Sequence, residues 1–266
     1  MLSRLSRLSR PKAVAVCALP VVALLAAAAF APLPFALAQP GRTVDVLGES
    51  KGDPVIAITG AATRETRGEL RLTTIEATGP TVSARLGDVV DGWFRTDRAV
   101  MPRDAVYPSG GDVQEIEKYN KAEMKESQEA ASEAALSYLG KGDGDIDIEL
   151  EAGDIGGPSA GLLFSLGIID KLDGDGSGGD LTGGRVIAGT GTIEASGKVG
   201  PVGGVALKTQ AAHRDGATVF LVPEAECSDA QAEVPEGMRL IPVTTLKGAV
   251  SALVALERGK GSVPSC

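Results

Sequence analysis

Hydrophobic and polar positions fall into distinct regimes along the chain. Residues 1–12 carry Arg4, Arg7, Arg10 and Lys12 with no acid, and residues 13–40 then run without any charge. A basic flank followed by a long uncharged run predicts a membrane-targeting segment over 1–39. Residues 40–53 read as a polar linker. Beyond it, short alternating runs predict strands at 55–59 and 69–77, with Gly60 and Gly68 between them, and a third at 81–86. The stretch 86–107 reads as a short helix and a long connection, with Trp93 packed in the core. Residues 112–139 carry the longest helical pattern, opened by Asp112 as a cap with Glu115 three positions on, and closed by Gly140.

The alternating segment 146–151 predicts a half-buried strand that leads into the glycine-rich stretch 153–161 and then the apolar run 162–169. Strands at 186–190 and 197–199 are expected to pair as a hairpin. A helix from Gly204 to about Arg214 follows, then a buried strand at 218–222, a short helix near 224–232, a strand at 239–243 and a last helix over about 246–256. Strands and helices thus alternate in a mixed α and β pattern, without internal repeats. The expected globular domain covers 54–257, with 258–266 as a C-terminal tail.

Composition changes this picture at a few points. A net charge of −9 and an aromatic content of 3% leave no basic or stacking surface for nucleic acid. The positive-inside rule keeps the basic flank in the cytoplasm and places the rest outside. The segment 1–39 then acts either as a retained single-span anchor or as a signal peptide cleaved at the small-x-small sequence Ala36-Leu37-Ala38. The exported part holds Cys227 and Cys266. In an oxidising compartment one disulfide tying the tail to the domain is the economical reading, two free thiols the alternative.

Candidate chemistry narrows by elimination. With one histidine and no closely spaced thiols, a zinc site lacks ligands, and no cofactor is expected. Asp173, Asp175, Ser177 and Gly178 match the opening of a calcium loop, but Gly184 stands where a bidentate glutamate is needed, so an acidic surface loop is expected. Residues 191–198 depart from a phosphate-binding loop in spacing and in Val199.

What remains is the stretch Gly157-Pro158-Ser159-Ala160-Gly161. Pro158 suits a first helical position, which puts Ser159 in a first turn where free N–H groups favour developing negative charge. Ser159 is either a nucleophile or a cap. His213 lies five residues beyond Lys208, about 140° away around a helix, and need not face the same site. A neutral lysine can replace histidine as the base. Lys208, in the apolar, glycine-led run 202–208, is the stronger candidate, and Lys198 the weaker.

Gly157-Pro158-Ser159-Ala160-Gly161, then Thr190-Gly191, then Pro201-Val202-Gly203-Gly204 with Lys208 four residues on, and Ala211-Ala212-His213-Arg214, together resemble the proteolytic domain of the Lon protease family. Met124-Lys125-Glu126-Ser127 and Ala134-Ala135-Leu136-Ser137-Tyr138 resemble the helix before that family's catalytic loop. The likeness covers roughly 110–257. The segment from about 44 to 108 is similar to membrane-anchored Lon-like proteins of Gram-positive bacteria, although 139–146 leaves no room for the PDZ domain usual there.

The resemblance implies an α+β fold like ribosomal protein S5 domain 2, and peptide-bond hydrolysis through an acyl-enzyme. It makes Ser159 the nucleophile, Lys208 the general base and Thr190 the residue orienting the lysine. Gly157, Pro158 and Ala160 support the oxyanion-binding loop. It implies peptide or unfolded protein substrates and a homo-oligomeric ring, commonly hexameric. The family often places an acid where Gly156 stands, leaving Asp154 as a distant auxiliary, and a glutamate where Thr192 stands. No Walker motif lies in these residues, so ATP-driven unfolding is not expected of them. The rival expectation is a catalytically silent scaffold or binding module on the same fold; an esterase using the same pair is a third.

Overall fold

The computed structural model describes residues 10–110, 112–142, 144, 146–153 and 157–266, with the side chains of 10–13 excepted. In chain order its elements are α1 (Arg10–Phe30), β1 (Phe35–Asp45), β2 (Glu49–Ser50), β3 (Asp53–Pro54), β4 (Ile56–Thr59), β5 (Glu69–Ala77), α2 (Leu86–Trp93), β6 (Ala99–Pro102), α3 (Arg103–Val106) and α4 (Val113–Tyr138). They continue with β7 (Asp147–Leu150), a 3-10 turn (Pro158–Ala160), α5 (Gly161–Leu172), β8 (Val186–Gly189), β9 (Thr192–Ile193), β10 (Val199–Gly200) and α6 (Val205–Arg214). The chain closes with β11 (Val219–Pro223), a second 3-10 turn (Glu224–Glu226), α7 (Cys227–Ala232), β12 (Arg239–Val243) and α8 (Leu246–Arg258).

A six-stranded sheet in the order β12-β11-β8-β5-β1-β6 divides the domain. The pairs β12/β11, β11/β8 and β8/β5 are parallel, while β1 runs antiparallel to both β5 and β6. Alternation along the central strands explains the layering. Val219 and Leu221 point into one core with α4, α5 and α8, whereas Phe220 and Val222 point into a second core with α6 and α7. Ile187 and Ala188 of β8 split the same way. Buried on both faces, β11 is the continuous apolar run that parallel strands show. The result is an α+β fold.

Several expectations are corrected. The supposed linker begins inside β1, and that strand reaches back to Phe35, into the supposed targeting segment. Ala36 and Ala38 are each 1% exposed, because alternate residues of β1 face the core. Residues 81–86 form no strand; Ala84 makes an isolated bridge to Leu33. The expected hairpin between 186–190 and 197–199 does not form, since β8 is claimed by β5 and β11, and β10 pairs with β9 instead. Trp93 is not core: at the end of the short helix α2 it is 74% exposed, and Phe94 is 87% exposed. Asp112 does cap α4, accepting from the N–H groups of Gln114 and Glu115. Cys227 and Cys266 are bonded to each other, with their Cα atoms 5.3 Å apart. Among the described residues no helix is long and apolar enough to cross a membrane.

The acidic loop after α5 is organised by arginines. Arg64 donates to the carbonyls of Asp170 and Gly178 at 2.9 and 3.0 Å and to the Asp180 carboxylate at 3.2 Å. Arg258 donates to the Asp175 carboxylate at 2.9 Å. A guanidinium therefore sits where the loop oxygens converge. Among the described residues no three metal-ligating side chains come together.

Candidate active site

Ser159 and Lys208 reach one groove from opposite layers of the domain. Ser159 sits in the 3-10 turn that opens α5, on the α4/α5 side, and Lys208 sits one turn into α6 on the other side. Both line an open groove of about 400 Å³ together with Pro158, Thr192, Val202 and Gly203. Thr74 and Ile75 of β5 and Tyr107 also line it.

Local sequence explains each placement. Gly157 holds φ at 90°, a left-handed conformation that a side chain resists, and the chain can then turn into Pro158. The Ser127 hydroxyl of α4 donates to the Pro158 carbonyl at 3.0 Å and fixes the turn from behind. At Gly161 a Cβ would lie 2.6 Å from Ile193, so glycine lets α5 start against β9. Gly204, at φ 69° and against Ile75, gives α6 its left-handed start.

Thr190 follows β8, where the two layers meet, and is fully buried. The Lys208 Nζ donates to Thr190 Oγ1 at 2.9 Å. The Thr190 hydroxyl in turn donates to the Ser159 carbonyl at 3.2 Å, and the Gly191 N–H donates to that same oxygen at 3.0 Å. Because its hydrogen is spent on Ser159, Thr190 Oγ1 can only accept from the lysine. Lys208 is 3% exposed. Burial removes water from the ammonium form and pushes its pKa down to about 8, against a smaller upward push from Glu226. A neutral amine that donates to Thr190 keeps a lone pair to offer a hydroxyl in the groove.

The structure separates the other candidates from this groove. Lys198 lies exposed in the β9–β10 turn, paired with Glu194 at 3.1 Å. His213 is exposed in the last turn of α6. Asp154 and Gly156 lie outside the described residues. Ala160, buried behind Ser159, packs in the larger core. Sequence reasoning missed Glu226, whose carboxylate accepts from the Val202 N–H at 2.9 Å. Glu226 falls in the short helix expected near 224–232, beside Glu224 and Asp229, and no local signal marks one of these carboxylates as buried.

Residues 112–255 match the model of the Lon protease (S16) C-terminal proteolytic domain. The chain is 30% identical over 194 residues to Lon protease 1 of Sorangium cellulosum, covering 68% of this chain and 22% of that protein. It is 36% identical over 126 residues to the Lon protease of Clostridioides difficile, covering 44% of this chain and 15% of that protein. The Lon protease of Chloroflexus aggregans is 38% identical over 93 residues, or 34% of this chain and 10% of its own. The chain thus spans about a fifth or less of the length of these curated relatives. With a family match over more than half its length, the chain belongs to the Lon protease (S16) C-terminal proteolytic domain family.

Proposed function

We propose that the chain is a serine endopeptidase in which Ser159 is the nucleophile and Lys208 its general base. The observation that carries this is the buried lysine amine, hydrogen-bonded to Thr190 and opening on the same groove as Ser159. Neutral Lys208 takes the Ser159 hydroxyl proton as Oγ attacks the peptide carbonyl carbon. The carbonyl oxygen becomes an oxyanion, stabilised by N–H groups at the start of α5. The Lys208 ammonium then protonates the departing amine as the C–N bond breaks, leaving an acyl-enzyme. Water, deprotonated by the same amine, releases the acid and restores Ser159. Thr190 holds the amine in place throughout. The groove lies open beside β5, which suits an extended peptide or an unfolded protein segment.

We also place this activity at a membrane and outside the cytoplasm, in a ring of identical subunits. The basic flank followed by an uncharged run supports the address. Cleavage after Ala38 would sever β1, which favours retention of the N-terminal segment over its removal.

The test uses the full chain with casein and an activated-serine probe, beside Ser159→Ala and Lys208→Ala. Cleavage and labelling are expected only in the unaltered chain. Labelling that persists in Ser159→Ala overturns the mechanism, and an unaltered chain inert to both supports the scaffold alternative.

A further inference from the structure

Glu226 belongs to the 3-10 turn after β11 and does not line the groove, yet it is 9% exposed, unusual for a carboxylate. Its partner is the Val202 N–H, 24 positions earlier in the chain. Val202 and the neighbouring Gly203 wall the groove, and Gly204 begins the helix that carries Lys208. We infer that Glu226 is a positioning residue for Lys208: its carboxylate, held on the Val202 N–H, pins the loop that brings α6 to the groove and sets a negative charge beside the start of that helix. This rests on the Ser159–Lys208 reading of the site.

Among the described residues, Glu226 is the charged group that acts on Lys208, although β1, which also packs on α6, carries Arg42 and Asp45. Within β8 and β11, which pack on α6, there is no charged residue. On β5, Arg71 pairs with Glu69, and Glu76 accepts from Gln39 of β1. Thr43 of β1 donates to Asp215, which also pairs with Arg214, beyond the far end of α6. Burial pushes the Glu226 carboxyl up, with a smaller upward push from Asp229 of α7; the Val202 N–H and Lys208 push it down. Toward the lysine, Glu226 opposes the effect of burial and favours the ammonium form. The carboxylate therefore has two separable effects: it holds the loop, and it delays the pH at which the lysine becomes a base.

Two variants separate them. Glu226→Gln keeps an oxygen for the Val202 N–H but removes the charge. Its acid limb of kcat/KM is expected to move to lower pH by roughly half a unit or more, with the alkaline plateau kept. Glu226→Ala removes the hydrogen bond as well, and its plateau is expected to fall about tenfold or more through loss of alignment. An acid limb unmoved in Glu226→Gln overturns the electrostatic part, and an unchanged plateau in Glu226→Ala overturns the pinning. Thermal unfolding of each variant identifies a fold that has simply failed. NMR titration of the Lys208 amine in full-length Ser159→Ala, with and without Glu226→Gln, reads the same coupling without catalysis. A midpoint that drops on Glu226→Gln supports the inference even if peptide cleavage is absent, and an unmoved midpoint overturns it.

Discussion

A buried lysine beside a threonine is costly to the folded state, and that cost has a sign and a pH window. The Lys208 pKa lies at about 8 in the fold against 10.5 for an ordinary lysine. Between these values the unfolded chain holds the proton that the folded chain releases, so stability rises as pH climbs from about 8 to about 10.5. Below 8 the full penalty applies. Lys208→Met, similar in length and apolar, should therefore raise unfolding stability at pH 7 by something on the order of 3 kcal/mol, with the advantage disappearing above pH 10.5. Urea unfolding at pH 7 and pH 11 checks this. The same depression predicts proteolysis that climbs through pH 8 towards a plateau, as the amine becomes neutral. Removing the bridging hydroxyl in Thr190→Val should lower kcat about tenfold or more at that plateau, because the amine loses the contact that aims it. At this scale the motifs holding Ser159, Thr190 and Lys208 were legible, and Gly157, Gly161, Gly191 and Gly204 within them each have a conformational or steric reason, whereas Gly203 has open space around it. Glu226 had no such marker, since its burial depends on a fold-level contact with Val202.

Among the elements, β1 is where the pattern misled most. Its first half is uncharged and continues a long apolar run, and its middle carries Pro40 and Gly41, which read as linker residues. In the fold these residues sit at a register shift between β1 and β5, and a Cβ at Gly41 would lie 2.4 Å from the Thr74 hydroxyl. The strand tolerates them because a bulge relieves the ladder there. A chain starting at residue 39 would lose the β6 partner and four core-facing or pairing positions of β1. It should fail to fold cooperatively, whereas one starting at residue 31 should keep its unfolding transition, its circular dichroism reduced only by the missing α1. The disulfide acts on a different element. Cys266 ties the tail to the start of α7 across 39 positions, and its loss in Cys266→Ser should cost about 2–4 kcal/mol, mainly by freeing the unfolded chain. Denaturant midpoints of the two proteins under oxidising conditions test this.

For the whole molecule, the site is a meeting of two layers across one sheet. Ser159 comes from the α4/α5/α8 core, Lys208 from the α6/α7 side, and Thr190 continues β8 between them. Neither layer alone can present the pair, so activity should be lost together with the sheet rather than before it. The sole tryptophan offers a contrast, because Trp93 lies on α2, exposed, away from both cores. In urea, circular dichroism and peptide cleavage should fall along one transition, as expected when the layers unfold together. Trp93 emission should start at the position of a solvated indole and hardly move through that transition. Acrylamide should quench it almost as well in the folded chain as in the unfolded one. A large red shift on unfolding would mean instead that α2 is covered in solution. Repeating the titration at several protein concentrations would then separate a second copy, whose cover thins on dilution, from a cover within the same chain, which does not.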